Sequence, residues 1–374
     1  MVGQTREPHG STPAGTDVPV ALLERITAEA EAVDRGDAET LEQLVAFGEA
    51  GLTTLGSVSD TEGRPGQQSG QGGLPDLVGA VEALARRSLS SAFALWGHRM
   101  AIEYLLAADT PYAHRVLPGL RAGAVPGVSG MASAFRRFVG AGEVDLTARA
   151  DGEDLLIDGT VPWATNLYPG ALVVSAAVDE QGDPLLLAFT LDQQGVEVGA
   201  PLDLLALRGT RSTSVRLNAV RVPGEQVLSR DFTGLLRAVR PTFAALQSAL
   251  CLGLAAESLA QTEVSLGKAA EGSFLTTFAP DLAEAQHELG RVRGQLDAVA
   301  ATVGTGTPPT PAQVLQTRHA AGLLAVQAAG LELRTAGGRA FVHGSAANRR
   351  FRESAFLPVQ SPSEGQLRWE LARG

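Results

Sequence analysis

The chain has 374 residues, of which 44% are hydrophobic, 19% are charged and 5% are aromatic. This balance is typical of a globular protein with two or three domains and excludes most unusual compositional classes. Forty-one acidic and thirty basic side chains give a formal net charge of −11, which opposes binding to nucleic acid or to anionic membrane surfaces.

The composition also limits the site chemistry and the compartment. Cys251 is the single cysteine, so an internal disulfide and a cysteine-rich metal site are both excluded. The six histidines show no metal-ligand spacing, and we expect no metal site. The sequence contains no uninterrupted run of 18 apolar residues, so we expect no transmembrane helix. The polar N-terminus lacks the apolar core of a signal peptide. We therefore expect a cytoplasmic protein.

The first third of the chain is predicted to be helical. Residues 1–17 are rich in Gly, Pro, Ser and Thr and are interpreted as a disordered tail. Apolar residues at helical spacing follow over residues 18–50 and again over 74–121. Between them, residues 56–73 contain many Gly, Ser and Gln and are predicted to form a long loop. The N-terminal helical domain is expected to cover residues 18–125.

Residues 126–228 are predicted to be a central β domain. Asp158 and Gly159 form a strong turn signal after a short apolar run. Residues 171–178 and 185–191 are apolar runs of strand length. Residues 215–222 alternate between apolar and polar side chains, as a half-buried strand does.

Helices are predicted again over residues 229–374. The long apolar helix Pro241 to Glu263 comes first, and helices over 281–303 and 312–335 follow. Helices, a small β segment and more helices in this order predict an α+β multi-domain protein.

This order resembles the acyl-CoA dehydrogenase superfamily, and several segments strengthen the resemblance. Residues 163–166 (Trp-Ala-Thr-Asn) are similar to the family's aromatic-x-Thr-Asn flavin segment. Arg208-Gly209-Thr210 is similar to the start of the strand that closes its β domain. Gly337 and Gly338, followed by residues 349–353, resemble its Gly-Gly and Arg-x-x-Arg-Asp elements. The family fold would consist of an N-terminal α-helical domain, a central small β-barrel or sandwich and a C-terminal four-helix bundle.

The resemblance implies a flavoprotein oxidoreductase that binds FAD. Glu364-Gly365 looks like the Glu-Gly pair that provides the catalytic base, and Arg240 is a second candidate catalytic residue. A carboxylate is a suitable base for the α-proton of an acyl thioester if burial raises its pKa. The candidate cofactor-binding residues are Ser129, Met131, Ser133, Trp163, Thr165, Gly337 and Gly338.

The sequence also departs from the family pattern. Residues 129–137 lack the acidic and Gly-Ser elements of the flavin-facing segment. Residues 268–274 replace the Arg-x-x-Phe-Gly element that grips the adenine half of FAD, which makes FMN an alternative cofactor. The gap between Arg352 and Glu364 is about three residues longer than in typical dehydrogenases, and it is similar to that of flavin-dependent monooxygenases of the same superfamily.

Three functions therefore remain open. The first is α,β-dehydrogenation of an acyl-CoA with Glu364 as the base, with electrons passed to an electron-transfer partner. The second is a two-component monooxygenase that takes reduced FMN or FAD from a flavin reductase and acts on another small molecule. The third is a non-catalytic scaffold that self-associates. In each case a homodimer or homotetramer is expected. Purely structural roles also remain open for two of the candidates: Trp163 as an aromatic residue of the core, and Glu364 as a carboxylate at the start of a helix.

Overall fold

The structure is a computed structural model that describes residues 18–56, 73–270 and 272–373. The predicted tail over 1–17 and nearly all of the predicted loop over 56–73 lie outside the described residues.

Five helices form the N-terminal part. Capping residues divide what the sequence predicts as one helical run over 74–121 into three helices. Ser88 caps the second of these, because its Oγ accepts a hydrogen bond from Ser91 N at 3.2 Å. Thr110 caps the third through a bond from Ala113 N at 3.1 Å. The five helices are α1 (Val20–Arg35), α2 (Leu41–Glu49), α3 (Leu74–Arg87), α4 (Leu89–Ala108) and α5 (Pro111–Arg121).

The central part is a mixed sheet of eight strands with one short helix, α6 (Ala132–Phe138), after its first strand. The strands are β1 (Gly127–Gly130), β2 (Leu146–Asp151), β3 (Asp154–Ala164), β4 (Leu172–Val178), β5 (Pro184–Thr190), β6 (Val196–Val198), β7 (Thr213–Val222) and β8 (Val227–Ser229). The strand order is β6-β7-β3-β2-β4-β5-β8, and β1 lies parallel to β4.

Strand β4 connects the two hydrophobic cores. Leu172, Val174 and Ala176 belong to a large core that they share with the helices. Val173 and Ala177 point the other way, into a smaller core enclosed by the sheet. Because both faces of β4 are buried, its sequence is apolar on both faces apart from Ser175, whose Oγ donates to Gly130 O at 2.9 Å.

The C-terminal part begins with α7 (Phe232–Gly267), which starts nine residues before the predicted start at Pro241. Asp231 allows this earlier start, because its Oδ1 accepts a hydrogen bond from Gly234 N at 2.8 Å. By length and composition α7 could cross a membrane, but 94% of its most apolar window is buried inside the protein. It packs against α3, α4, α8 (Ala279–Thr302), α9 (Pro311–Ala336) and α10 (Ala346–Ser354), and the last helix, α11 (Glu364–Leu371), packs against α9.

Candidate functional site

Trp163 lies near the end of β3 and is 58% exposed, which is unusual for so large an aromatic side chain. A row of hydroxyl groups lies just beyond it. Thr165 Oγ1 is 2.8 Å from Ser212 Oγ, which is also 2.8 Å from Thr210 Oγ1. A flat apolar surface beside hydroxyl groups suits a planar ring system with polar atoms at its edge.

Asn166 has a structural role that the sequence motif does not reveal. It adopts a left-handed conformation with φ of 64° and is fully buried. Its Nδ2 donates to Ala94 O on α4 at 2.9 Å and to Gly127 O at 3.2 Å. Asn166 therefore fixes the position of the Trp163 segment relative to α4 and β1.

The candidate residues around β1 are occupied by contacts within the protein. Ser129 Oγ shares a hydrogen bond of 3.0 Å with Tyr104 OH, and burial raises the pKa of that phenol. Ser133 Oγ accepts from Asp145 N at 3.3 Å. Met131 is 1% exposed and belongs to the main core. All three side chains thus contribute to the packing of β1 and α6.

His98 fixes β1 against α4 from the other side. Its Nδ1 accepts from Gly127 N at 2.8 Å, and its Nε2 donates to Leu120 O, also at 2.8 Å. This pattern requires a neutral imidazole with the proton on Nε2. Burial lowers the pKa of His98 to about 4, so it stays neutral at physiological pH.

Aromatic side chains from four parts of the chain meet between α4, α6 and α7. Phe93 stacks on Trp96 with ring centroids 5.2 Å apart, and it meets Phe356 edge-on at 4.8 Å. Phe243 on α7 contacts Trp96 at 5.1 Å and Phe135 on α6 at 4.4 Å. We call these five residues the aromatic cluster. Sequence reasoning did not find it, because its members are far apart along the chain.

The loop between α10 and α11 packs over this cluster and is held by buried polar side chains. Gln247 Nε2 donates to Ser361 O at 2.9 Å. Arg318, which is 1% exposed, donates from Nη2 to Leu357 O at 2.7 Å and from Nε to Gln247 Oε1 at 3.2 Å. The one sequence signal for this network is the presence of Gln247 within an otherwise apolar stretch of α7.

Glu364 is the first residue of α11 and follows this loop directly. Its backbone N–H donates to Pro358 O at 2.8 Å. Its carboxylate pairs with Arg368 at 2.5 Å, with side chains 30% and 63% exposed. Arg240, the other candidate catalytic residue, pairs with Glu370 near the end of α11.

Gly337 and Gly338 begin a short 3-10 helix after α9. Gly337 has a φ of 64°, and a side-chain carbon added at either glycine would meet no atom within 4 Å. The space beside this turn is therefore open. The arginines that follow are matched within the protein, because Arg350 pairs with Glu332 and Arg352 pairs with Asp34 at 2.5 Å.

Among the predicted site residues, the tryptophan-threonine pair and the two catalytic candidates form separate groups. Trp163 and Thr165 lie at the end of β3, whereas Glu364 and Arg240 both contact α11 side chains. No hydrogen bond or ion pair between described residues joins the two groups. In the same part of the chain, no three His, Cys, Asp or Glu side chains are arranged to hold a metal ion.

No protein-family model matches the chain. Over 241 residues it is 26% identical to a probable acyl-CoA dehydrogenase, fadE25, of Mycobacterium leprae, which covers 60% of this chain and 61% of that protein. It is 31% identical over 229 residues to cyclohexane-1-carbonyl-CoA dehydrogenase of Geobacter metallireducens, and this match covers 59% of this chain and 57% of that protein. The matches therefore span about three fifths of these curated relatives.

Solved structures match over nearly the whole chain. Butyryl-CoA dehydrogenase from Megasphaera elsdenii superposes with a TM-score of 0.82 at 17% identity and covers 94% of both chains. Dibenzothiophene monooxygenase TdsC from Paenibacillus superposes with a TM-score of 0.76, again at 17% identity and 94% coverage of both chains. A further structure of TdsC contains FMN and indole.

Proposed function

We propose that this chain is a member of the acyl-CoA dehydrogenase superfamily and a flavin-dependent oxidoreductase that dehydrogenates an acyl-CoA thioester between Cα and Cβ. The main support is sequence similarity to two curated acyl-CoA dehydrogenases, one of them 31% identical over the matched segment. The exposed indole beside a row of hydroxyl groups is the structural feature that fits the flavin.

Trp163 and Thr165 would hold the flavin ring. The indole offers a flat apolar face that is 58% exposed, and the hydroxyl of Thr165 is oriented by Ser212. When bound, the flavin supplies the hydride acceptor that no amino-acid side chain provides. The open space beside Gly337 and Gly338 would accommodate the phosphate or adenine part of FAD, and FMN remains an alternative.

Glu364 would remove the α-proton. Its pairing with Arg368 is partly solvent-exposed, and separating such a pair costs only about 0–1 kcal/mol. The carboxylate is therefore free to turn away from Arg368 towards the loop that it follows. Arg240 would contribute by holding Glu370 and thereby positioning α11.

The test is reconstitution with FAD or FMN, followed by anaerobic addition of acyl-CoAs of increasing chain length. We expect the flavin absorbance to bleach with at least one acyl-CoA, and we expect Glu364→Gln to abolish bleaching while flavin binding is retained. Glu288→Gln is a matched control, because Glu288 is also a helical carboxylate paired with a nearby arginine, Arg291. No bleaching with any acyl-CoA would refute dehydrogenation.

A two-component monooxygenase is the second candidate, and the long gap between Arg352 and Glu364 favours it, because that gap resembles the one in flavin-dependent monooxygenases of the same superfamily. The similarity in fold to a dibenzothiophene monooxygenase agrees with it. Activity with reduced FMN, oxygen and a reductase that survives Glu364→Gln would support this function and refute the first. A colourless protein that takes up neither FAD nor FMN would refute both.

The two functions also differ in their partners. A dehydrogenase passes electrons to an electron-transfer protein, whereas the monooxygenase receives reduced flavin from a reductase. In either case we propose a homodimer or homotetramer, which light scattering after size-exclusion chromatography would establish.

A further inference from the structure

Gln360 is a buried side chain whose polar atoms have no partner. It lies in the loop between α10 and α11 and is 5% exposed. Neither Nε2 nor Oε1 has a hydrogen-bond partner, and the buried Oγ of the next residue, Ser361, also lacks one. Among the buried amide side chains in the described part of the chain, only Gln360 leaves both polar atoms unpaired. Because unpaired buried groups are unfavourable, an amide with both ends unpaired requires a partner that the described part of the protein does not supply.

Gln247 shows what a structural glutamine looks like at nearly the same place. It is fully buried on α7, and both ends of its amide are bonded. Its Nε2 donates to Ser361 O at 2.9 Å, and its Oε1 accepts from Arg318 Nε at 3.2 Å. Gln247 therefore holds the loop that carries Gln360, and of the two amides only that of Gln247 is satisfied by the protein.

The loop that carries Gln360 adjoins the aromatic cluster. The backbone N–H of Gln360 donates to Phe356 O at 3.0 Å, and the ring of Phe356 packs against Phe93. Gln247, which bonds to Ser361, lies one helical turn after Phe243 of the same cluster. A molecule bound at this loop would thus meet aromatic side chains as well as the unpaired amide and hydroxyl.

The hydrogen-bonding pattern of the unpaired amide narrows the kind of ligand group that fits. Arg318 is the cation of this buried network, and its three nitrogens are used by Gln247, Cys251 and Leu357. Because these acceptors are all neutral, the kind of ligand is set by the Gln360 amide itself: its Oε1 needs a hydrogen-bond donor, which a carboxylate lacks. An amide side chain presents one donor and one acceptor, and only a group with both complements can satisfy it.

We propose that Gln360, assisted by Ser361, is a specificity-determining residue that binds a neutral hydroxyl or carboxamide group on the ring or apolar body of the substrate. The inference rests on the proposed function, because it assumes that the body of the substrate contacts the aromatic cluster. Beyond that function, it assigns to the substrate a neutral polar group that both donates and accepts hydrogen bonds.

The test compares Gln360→Met with Gln247→Met, which remove the same amide from two buried positions. Binding of three ring compounds is measured by calorimetry on the full chain: benzamide, benzoate and ethylbenzene. The wild type is expected to bind benzamide about tenfold or more tightly than the other two, since a site with buried polar groups rejects analogues that leave them unpaired. Gln360→Met should abolish this preference.

The melting temperature separates a binding role from a structural one. Gln360→Met should leave it unchanged or raise it, because an unpaired polar group is replaced by an apolar one of similar shape. Gln247→Met should lower it, because two bonded partners lose their contacts.

Three results would overturn the inference. The first is a Gln360→Met variant that melts as early as Gln247→Met, which would indicate a structural partner such as a buried water molecule. The second is no preference for benzamide in the wild type, and the third is no benzamide binding at all. Flavin uptake and bleaching are separate measurements. A benzamide preference without flavin uptake would refute the proposed function alone, and normal bleaching without the preference would refute this inference alone.

Discussion

The ion pair between Arg350 on α10 and Glu332 on α9 is a sensitive test of how the C-terminal helices are held together. Arg350 Nε donates to Glu332 Oε2 at 2.8 Å, and a second bond joins Nη2 to Oε1. The side chains are 8% and 3% exposed, so water cannot replace either partner. Arg350→Met would leave the Glu332 carboxylate buried without this cation. We expect a loss of about 3–5 kcal/mol in the free energy of unfolding.

The double variant Arg350→Met/Glu332→Leu should recover most of this loss. Replacing both members of a buried pair by apolar side chains of similar volume is often neutral or stabilising by about 1–4 kcal/mol. Glu353 limits the recovery. Its carboxylate is buried, which raises its pKa, and Arg350 is one of the cations that act against this rise. The double variant removes that cation. We therefore expect the double variant to lie within about 2 kcal/mol of the wild type.

Urea unfolding followed by circular dichroism measures these free energies. Arg291→Met is the matched control, because its pair with Glu288 is exposed, with side chains 45% and 35% accessible. It should change the stability by less than about 1 kcal/mol. The reasoning would be refuted if Arg350→Met cost no more than this control, or if the double variant were as unstable as the two single variants combined. Flavin affinity should be unchanged in the double variant, since the two side chains satisfy each other.

The remaining predictions concern a histidine, a glycine and the exposed tryptophan. The pKa of His98 is about 4 when folded, against about 6.5 when unfolded, so the unfolded state takes up the proton first as the pH falls. Stability should therefore decline between about pH 6.5 and pH 4, and urea unfolding of His98→Gln should show a shallower decline. Gly209→Ala places a carbon 2.4 Å from Ala38 O and should cost about 2 kcal/mol or more, whereas Gly330→Ala meets no atom within 4 Å and should be neutral or stabilising in the same assay. Trp163→Ala should weaken flavin binding roughly tenfold in a fluorescence titration and leave the melting temperature nearly unchanged, because the side chain is 58% exposed.

Much of the architecture could be predicted from the sequence. Helical and β-strand spacing indicated helices, then a β segment, then helices, and the fold confirms this order. Ordered short motifs indicated the acyl-CoA dehydrogenase superfamily, and two curated acyl-CoA dehydrogenases are similar over about three fifths of their length. Helix boundaries were less accurate. The single run over 74–121 contains three helices, because Ser88 and Thr110 cap new ones. The start of α7 depends on the Asp231 cap rather than on Pro241.

The site was only partly predictable, because its decisive contacts join distant parts of the chain. A motif identifies Trp163 and Glu364 by type, and the roles proposed for them remain predictions. Whether an indole is exposed or a carboxylate is paired depends on neighbours that local patterns do not encode. The aromatic cluster, the buried network around Arg318 and the unpaired amide of Gln360 arise because α4, α7, α9 and the loop before α11 converge. Local periodicity shows which face of a helix or strand is buried. Which side chain of another element that face then contacts is decided by the tertiary packing.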